Sequence, residues 1–139
     1  MPRAHLRVIL IASLFVFGQS LKAESVSRTP PEIYSQQLAA LLTPLAQVMA
    51  GRDVFPKKDS HGVVLLDETV YYRDAAGTDY RLLHDVYLSH DDSAPEVMGN
   101  SIITYDREHE SIFLIAAATI RPDGVRQDLD DRATFIQTP

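Results

Sequence analysis

The chain begins with a basic segment that is followed by an apolar run. Arg3 and Arg7 come before the predominantly apolar residues 8–17, and a more polar stretch then ends at Ala23. This order of charged, apolar and cleavage regions is typical of a secretory signal peptide. The apolar core is about half the roughly 20 residues that a membrane-spanning helix needs. We therefore predict that residues 1–23 are cleaved after Ala23 and are not kept as an anchor.

After a lead-in at residues 24–31, which we expect to be flexible, apolar residues recur at helical spacing. Thr29 followed by Pro30 is a plausible helix start, and Gly51 a plausible end. Pro44 lies inside the pattern, where it removes a backbone hydrogen bond, so we expect a kink or two short helices. The apolar stripe, which we expect to pack against a sheet, consists of Tyr34, Leu38, Leu41, Leu42, Leu45, Val48 and Met49.

From Val63 the pattern changes to the alternation of β-strands. One alternating run ends at Arg73, the turn-forming residues 74–77 follow, and a second alternating run covers residues 79–88. Gly77 can supply the positive φ that such a turn needs. These features predict a β-hairpin.

The second half of the domain is also predicted to be β. After a loop at residues 89–100, apolar residues at 102–105 indicate a third strand and residues 106–110 a polar turn. Residues 111–121 are apolar on both faces, which is typical of a central strand. Residues 121–125 form a strong turn pattern, and a last short strand is expected at 134–137.

These elements predict a mainly β fold, α+β by content. An N-terminal amphipathic helix would pack on an antiparallel, sandwich-like sheet, and this sheet would be incomplete. The predicted organisation is a signal peptide at 1–23, the lead-in at 24–31, and a single helix-plus-β domain at 32–139.

Charge and composition narrow the class of protein. The formal net charge is −6, and loss of three basic residues with the signal peptide (Arg3, Arg7 and Lys22) makes it about −9. Such a charge repels nucleic acid. The chain has no Cys, which excludes a cysteine nucleophile and a thiolate metal site. We find no mature segment that is apolar enough to cross a membrane.

Several polar groups could carry chemistry, and each is weighed against a structural role. Residues 59–61 (Asp-Ser-His) have the residue types of a hydrolase triad, but adjacent residues cannot adopt triad geometry. His84, Asp85, His90, Asp91, Asp92 and His109 are potential metal ligands, but their spacing matches no metal motif. Asp123, Asp128, Asp130 and Asp131 could approach calcium, although an acidic turn explains them better. Residues 74–77 are interpreted as a hairpin turn and not as a phosphate loop. We therefore assign no catalytic, cofactor-binding or metal-binding residue, and no cofactor.

The stretch from 62 to 124 resembles a domain of unknown function in bacterial exported proteins, which commonly lies N-terminal to a transglutaminase-like domain. The resemblance rests on VVLLDE at 63–68 and IRPDG at 120–124, in that order. It implies a β-sandwich-like domain that ends here inside its sheet, as in a truncated gene or a fragment. The Cys, His and Asp of the catalytic module have no counterparts in this chain.

These points lead to one main functional hypothesis and two alternatives. The main hypothesis is a non-catalytic exported β domain from the N-terminal part of a transglutaminase-like envelope protein, located in the periplasm or otherwise secreted. It would act by contact with a neighbouring domain or envelope protein. Edge strands of an unfinished sheet invite such pairing, so self-association is expected. The alternatives are a small exported metal-dependent hydrolase that uses His84, His90 and the nearby aspartates, and a peptide- or glycan-binding module.

Overall fold

The fold is organised by one five-stranded antiparallel sheet with short helices on one face. The structure is a computed structural model that describes residues 7–17, 26–52, 60–91, 101–106 and 108–130. The strands are β1 (Arg7–Phe17), β2 (Gly62–Arg73), β3 (Asp79–Ser89), β4 (Glu110–Ile120) and β5 (Arg126–Asp128). Their order across the sheet is β2-β3-β1-β4-β5. The predicted mainly β class with an open antiparallel sheet is confirmed.

The helical segment is divided into three short pieces, and Pro44 lies at the second of the two breaks. Helix α1 is Glu32–Gln36, a 3-10 turn follows at Leu38–Leu41, and helix α2 is Leu45–Ala50. Pro44 is the residue before α2 and has an extended backbone with ψ of 135°. Proline has no N–H for a preceding turn, and it suits a helix start. The predicted break at Pro44 and the end at Gly51 are both confirmed. No helix in the described part of the chain is long and apolar enough to cross a bilayer.

Two residues of the apolar stripe, Leu38 and Val48, are buried against the sheet in two separate clusters, whereas Leu41 of the same stripe is 44% exposed. Leu38 packs with a set of strand side chains at the turn end of the β2–β3 hairpin, namely Leu14, Val16, Tyr80 and Leu82. Val48 packs with Val86 and Leu88 at the other end of β3. Full burial of a side chain of this size stabilises a fold by about 1.5–3 kcal/mol. The expected packing of the stripe on the sheet is therefore present at Leu38 and Val48, but it is wrong for Leu41.

The N-terminal apolar run is the central strand of this sheet. Residues Arg7 to Val16 pair with β3 on one side, and residues Val8 to Phe17 pair with β4 on the other. The side chains of Leu14 and Phe15 are fully buried and Val16 is 4% exposed. The structure thus gives the predicted signal segment a role within the uncleaved chain. Cleavage itself stays a prediction.

The turns agree with the sequence patterns. Gly77 has φ of 85° between β2 and β3, and Gly124 has φ of 82° between β4 and β5. Both values lie in the left-handed region, which glycine adopts without steric cost. The polar turn before β4 is also present, because the Asp106 carbonyl accepts hydrogen bonds from the backbone N–H groups of His109 and Glu110.

Two details of the second half differ from expectation. The strand predicted at 102–105 is wrong, because residues 101–106 have no regular structure and Ile102 is 92% exposed. Strand β5 was not predicted, since its three residues (Arg-Gln-Asp) have no apolar alternation. The strand expected at 134–137 lies outside the described residues. Within the described ranges there is one sheet, so the sandwich-like part of the prediction has no second layer there.

Part of the predicted flexible lead-in contacts the sheet. Ser27 forms an isolated bridge with Phe113, and its carbonyl accepts a hydrogen bond from the Leu114 N–H at 2.9 Å. Further along β4, the Ala117 carbonyl accepts a hydrogen bond from the Leu129 N–H. Together with β5, these contacts occupy much of the side of β4 that faces away from β1.

Candidate functional site

The two outer strands of the sheet differ greatly in length. On one side the last strand is β5, which has three residues and a close ion pair between Arg126 and Asp128. Short, charged edges of this kind discourage pairing with other chains. On the other side the last strand is β2, with 12 residues. No strand of the described ranges pairs with the outer side of β2. This outer side is the candidate site, and we call it the β2 edge.

The hydrogen-bond pattern shows which residues form the β2 edge. The Asp74 N–H donates to the Thr78 carbonyl, so this pair is hydrogen-bonded across the hairpin. In an antiparallel ladder, hydrogen-bonded and non-hydrogen-bonded pairs alternate. The β2 residues whose N–H and C=O groups bond to β3 are therefore those of every second pair: Tyr72–Tyr80, Val70–Leu82, Glu68–His84 and Leu66–Val86. The residues between them direct their N–H and C=O groups away from β3: Asp67, Thr69, Tyr71 and Arg73.

The same four residues place exposed side chains beside this row of backbone groups. Tyr71 is 74% exposed, which is unusual for so large an aromatic side chain. At the other end of the strand Val64 is 46% exposed. The register shifts between Val64 and Leu66, so Leu65 is an extra residue in β2. Such a bulge interrupts regular pairing, and the regular part of the β2 edge is therefore residues 66–73.

A polar contact connects β2 to the helical segment on the helix-covered face of the sheet. The Glu68 carboxylate accepts hydrogen bonds from the Thr43 N–H at 3.0 Å and from the Thr43 hydroxyl at 2.8 Å. It also lies 3.2 Å from Nδ1 of His84, which is 5% exposed. Partial burial opposes ionisation of Glu68, but the hydrogen bonds from Thr43 and His84 prevail and lower the pKa of Glu68. This group therefore holds β2, β3 and the chain before α2 together.

Two carboxylates face each other across β2 and β3 on the face of the sheet that the helices do not cover. Asp67 and Asp85 are direct partners in the register. Partial burial, and then the negative charge of Asp67, raise the pKa of Asp85. The pKa of Tyr87 is raised as well, first by burial and then by the charge of Asp85. The face beside the β2 edge is thus acidic at this point and suited to a basic side chain.

Several hydrogen bonds and an ion pair connect residues at the turn end of the β2 edge. Arg73 and Asp79 form a two-point ion pair, with Nε–Oδ1 at 2.6 Å and Nη2–Oδ2 at 2.7 Å. The Asp74 carboxylate accepts hydrogen bonds from the N–H groups of Ala76 and Thr78. An open depression lies at this end, lined by Tyr71, Tyr72, Arg73, Asp79 and Tyr80. These contacts fix one end of the β2 edge.

At the end of the β2–β3 hairpin away from its turn, Ser60 and His61 each contact a residue near the end of β3, but they do not form a catalytic triad. Ser60 Oγ lies 3.2 Å from Nδ1 of His90, whereas Asp91 Oδ2 lies 2.7 Å from Nδ1 of His61. A triad needs one histidine between the serine and the acid. Here two different histidines make the two contacts. Asp59 lies outside the described residues.

The candidate metal ligands are dispersed. His84 and His90 are six positions apart along an extended chain, which is roughly 20 Å, and Asp85 is on the face opposite His84. His109 contacts Asp106 at 2.8 Å in a separate turn. No group of three His, Cys, Asp or Glu side chains that could hold a metal ion occurs in the described ranges. Asp92 lies outside them.

The aspartates considered for calcium have other neighbours. Asp123 pairs with Arg121 at 3.2 Å, and Asp128 pairs with Arg126 at 2.8 Å. Asp130 follows β5, and Asp131 lies outside the described residues.

The long-range features of the site were not predicted from the sequence. Thr43 was assigned no role, and nothing in its local sequence marks it as a partner of Glu68. Only the β alternation of residues 63–73 indicated where an edge could be.

Comparisons of the chain with protein-family models, with curated proteins and with solved structures gave no match.

Proposed function

We propose that this chain is an exported, non-catalytic β domain that acts by contact with another protein, and that the β2 edge makes the contact. The observation that carries the proposal is the regular row of outward backbone groups from residue 67 to 73, which no described strand pairs. An extended peptide that adds to such an edge forms main-chain hydrogen bonds along its length. Each contributes about 0.5–1.5 kcal/mol net.

The surroundings of the β2 edge suit a peptide strand. Leu66–Arg73 is long enough for regular pairing, and its two ends are supported by the Glu68 and Arg73 contacts described above. Because these contacts already order the edge, pairing costs less conformational entropy, which favours affinity. The exposed ring of Tyr71 offers an apolar contact, and Asp67 with Asp85 favours a partner that has a basic residue nearby.

The nature of the partner follows from the sequence resemblance. A domain that resembles those preceding transglutaminase-like modules would contact a neighbouring domain or another envelope protein. The predicted signal peptide supports export, with the periplasm as the proposed location.

Self-association of the full chain tests the proposal, because two β2 edges can pair with each other when no partner is present. Light scattering at tens of micromolar should show a mass that rises with concentration. Thr69→Pro removes an N–H that points outward and introduces a ring that blocks pairing, so it should abolish association. Proline is tolerated in edge strands at such positions.

Two variants act as controls. Thr69→Ala keeps the N–H and should associate like the natural chain. Val70→Pro removes an N–H that bonds to β3, so it should lower stability, whereas Thr69→Pro should largely preserve the native circular dichroism. A natural chain that stays monomeric, or a Thr69→Pro variant that associates normally, contradicts the proposal.

A further inference from the structure

Strand β1 is the link between two otherwise separate hairpins. β3 pairs with β2 and β1, and β4 pairs with β1 and β5. In the described sheet, β3 and β4 have no direct pairing with each other. Removal of β1 would therefore leave two facing edges, each about the length of the missing strand.

The groove between β3 and β4 is lined for an extended, apolar segment. Leu14 is fully buried among Leu38, Leu82 and neighbouring side chains on the helix-covered face. Phe15 is fully buried on the opposite face, where Arg81 lies over its ring. A strand in this groove thus contacts side chains on both faces of the sheet, and its backbone pairs with β3 on one edge and with β4 on the other.

The groove also accepts a regular strand without distortion. The register between β1 and β4 shifts at Ala12 and Ser13, which pair with Ala116 and Leu114. The extra residue, Ile115, belongs to β4. The bulge therefore belongs to the groove. The strand that occupies the groove keeps an unbroken register with β3.

These residues are also the apolar core of the predicted signal peptide, so cleavage after Ala23 would remove β1. We infer that the groove between β3 and β4 is a strand-acceptor site. After export, a strand from another protein takes the place of β1, antiparallel to both β3 and β4. This inference rests on the proposed export, and it specifies the partner more closely than the β2 edge does. The occupant is an extended segment with apolar residues at the positions of Leu14 and Val16 and an aromatic residue at that of Phe15.

The experiment starts from the full chain, folded intact, with a protease recognition sequence inserted after Ala23. Thr69→Pro is included so that the β2 edge is closed and contributes no signal. After cutting, native mass spectrometry shows whether the N-terminal fragment stays bound. A fluorescent peptide with the sequence of residues 7–17 and a lysine tail is then added, and anisotropy follows its exchange into the groove.

The inference predicts that the fragment stays bound after cutting and that the labelled peptide replaces it saturably. A peptide with Leu14→Asp should bind at least tenfold more weakly, because its carboxylate would be buried among apolar side chains. A shuffled peptide of the same composition should not bind.

Three results would overturn the inference. The fragment could leave while the remaining chain keeps its native circular dichroism and unfolding midpoint. The remaining chain could aggregate without rescue by the peptide, or the natural and Leu14→Asp peptides could bind equally. The β2 edge proposal stands apart from all three, since Thr69→Pro and Thr69→Ala test it in the uncut chain.

Discussion

The guanidinium group of Arg81 lies over the ring of Phe15, with Cζ 4.1 Å from the ring centroid. Arg81 is on β3 and Phe15 is on β1, so the contact joins two neighbouring strands. Nη2 of Arg81 is also 3.6 Å from Oε1 of Glu110, a buried residue at the start of β4. Side chains of three strands therefore meet at Arg81, on the face of the sheet opposite the helices.

This contact predicts that Phe15 is important for stability although it lies in the predicted signal segment. Phe15→Ala should lower the free energy of unfolding of the full chain by about 3–5 kcal/mol, since it leaves a cavity in the core. A double-mutant cycle with Arg81→Met should give a coupling of about 0.5–2 kcal/mol for the cation–π contact. Urea denaturation measures both values.

Ile102 provides the matched control for Phe15. It is 92% exposed, so Ile102→Ala should change the free energy of unfolding by less than about 0.5 kcal/mol. Equal midpoints for Phe15→Ala and the natural chain would show that β1 is not part of the folded core.

The contact of Glu68 with Thr43 and His84 predicts a pH-dependent contribution to stability. The pKa of Glu68 is below its ordinary value of 4.5, because the hydrogen bonds outweigh partial burial. A carboxyl group with a lowered folded-state pKa stabilises the fold above its ordinary pKa, and this contribution is lost as the pH falls through the folded-state value. Glu68→Gln should therefore cost about 1.5–3 kcal/mol at pH 7, the range for hydrogen bonds to charged groups.

Urea denaturation at a series of pH values distinguishes this effect from a general loss of packing. The difference between the natural chain and Glu68→Gln should shrink as the pH falls below 4.5. Ile102→Ala, which changes an exposed side chain and no titratable group, should show no such trend. A deficit of Glu68→Gln that stays constant down to pH 2 would contradict the assignment.

Local patterns predicted much of the fold. Pro44 divides the helical segment as expected, and Gly77 and Gly124 occupy turns that need a positive φ. These outcomes depend on the backbone preferences of single proline and glycine residues, whose positions are known from the sequence. The β2–β3 hairpin was predicted for the same reason, since its alternation and its turn are both local.

The position of the N-terminal run could not be read from its pattern. About ten mostly apolar residues suit a signal-peptide core, and they equally suit a strand that is buried on both faces. Pairing with β3 and β4 is set by residues 64 to 112 positions away. The contact between Thr43 and Glu68 is non-local as well. At Ile102 the apolar pattern indicated a strand, but the segment has no partner strand among the described residues.

The acidic pair at the β2 edge supports a last prediction. Partial burial, and then the charge of Asp67, raise the pKa of Asp85 above its ordinary value of 3.8. Asp67→Asn should therefore lower the pKa of Asp85, which carbon-detected NMR titration of its carboxyl group measures. Asp123→Asn, in the distant β4–β5 turn, should leave the Asp85 titration unchanged.

The same pair sets the sign of an effect on stability. Because the folded-state pKa of Asp85 is raised, its ionisation disfavours the fold, and stability falls as the pH rises from the ordinary value through the folded-state value. Asp67→Asn removes part of this penalty and should stabilise the chain at pH 7 by about 0.2–1 kcal/mol, as expected for like charges on paired strands. At a pH well below 3.8, where Asp85 is protonated in both states, this gain should vanish. If Asp67→Asn destabilises the chain at neutral pH, then Asp67 makes a favourable contact that outweighs its repulsion of Asp85.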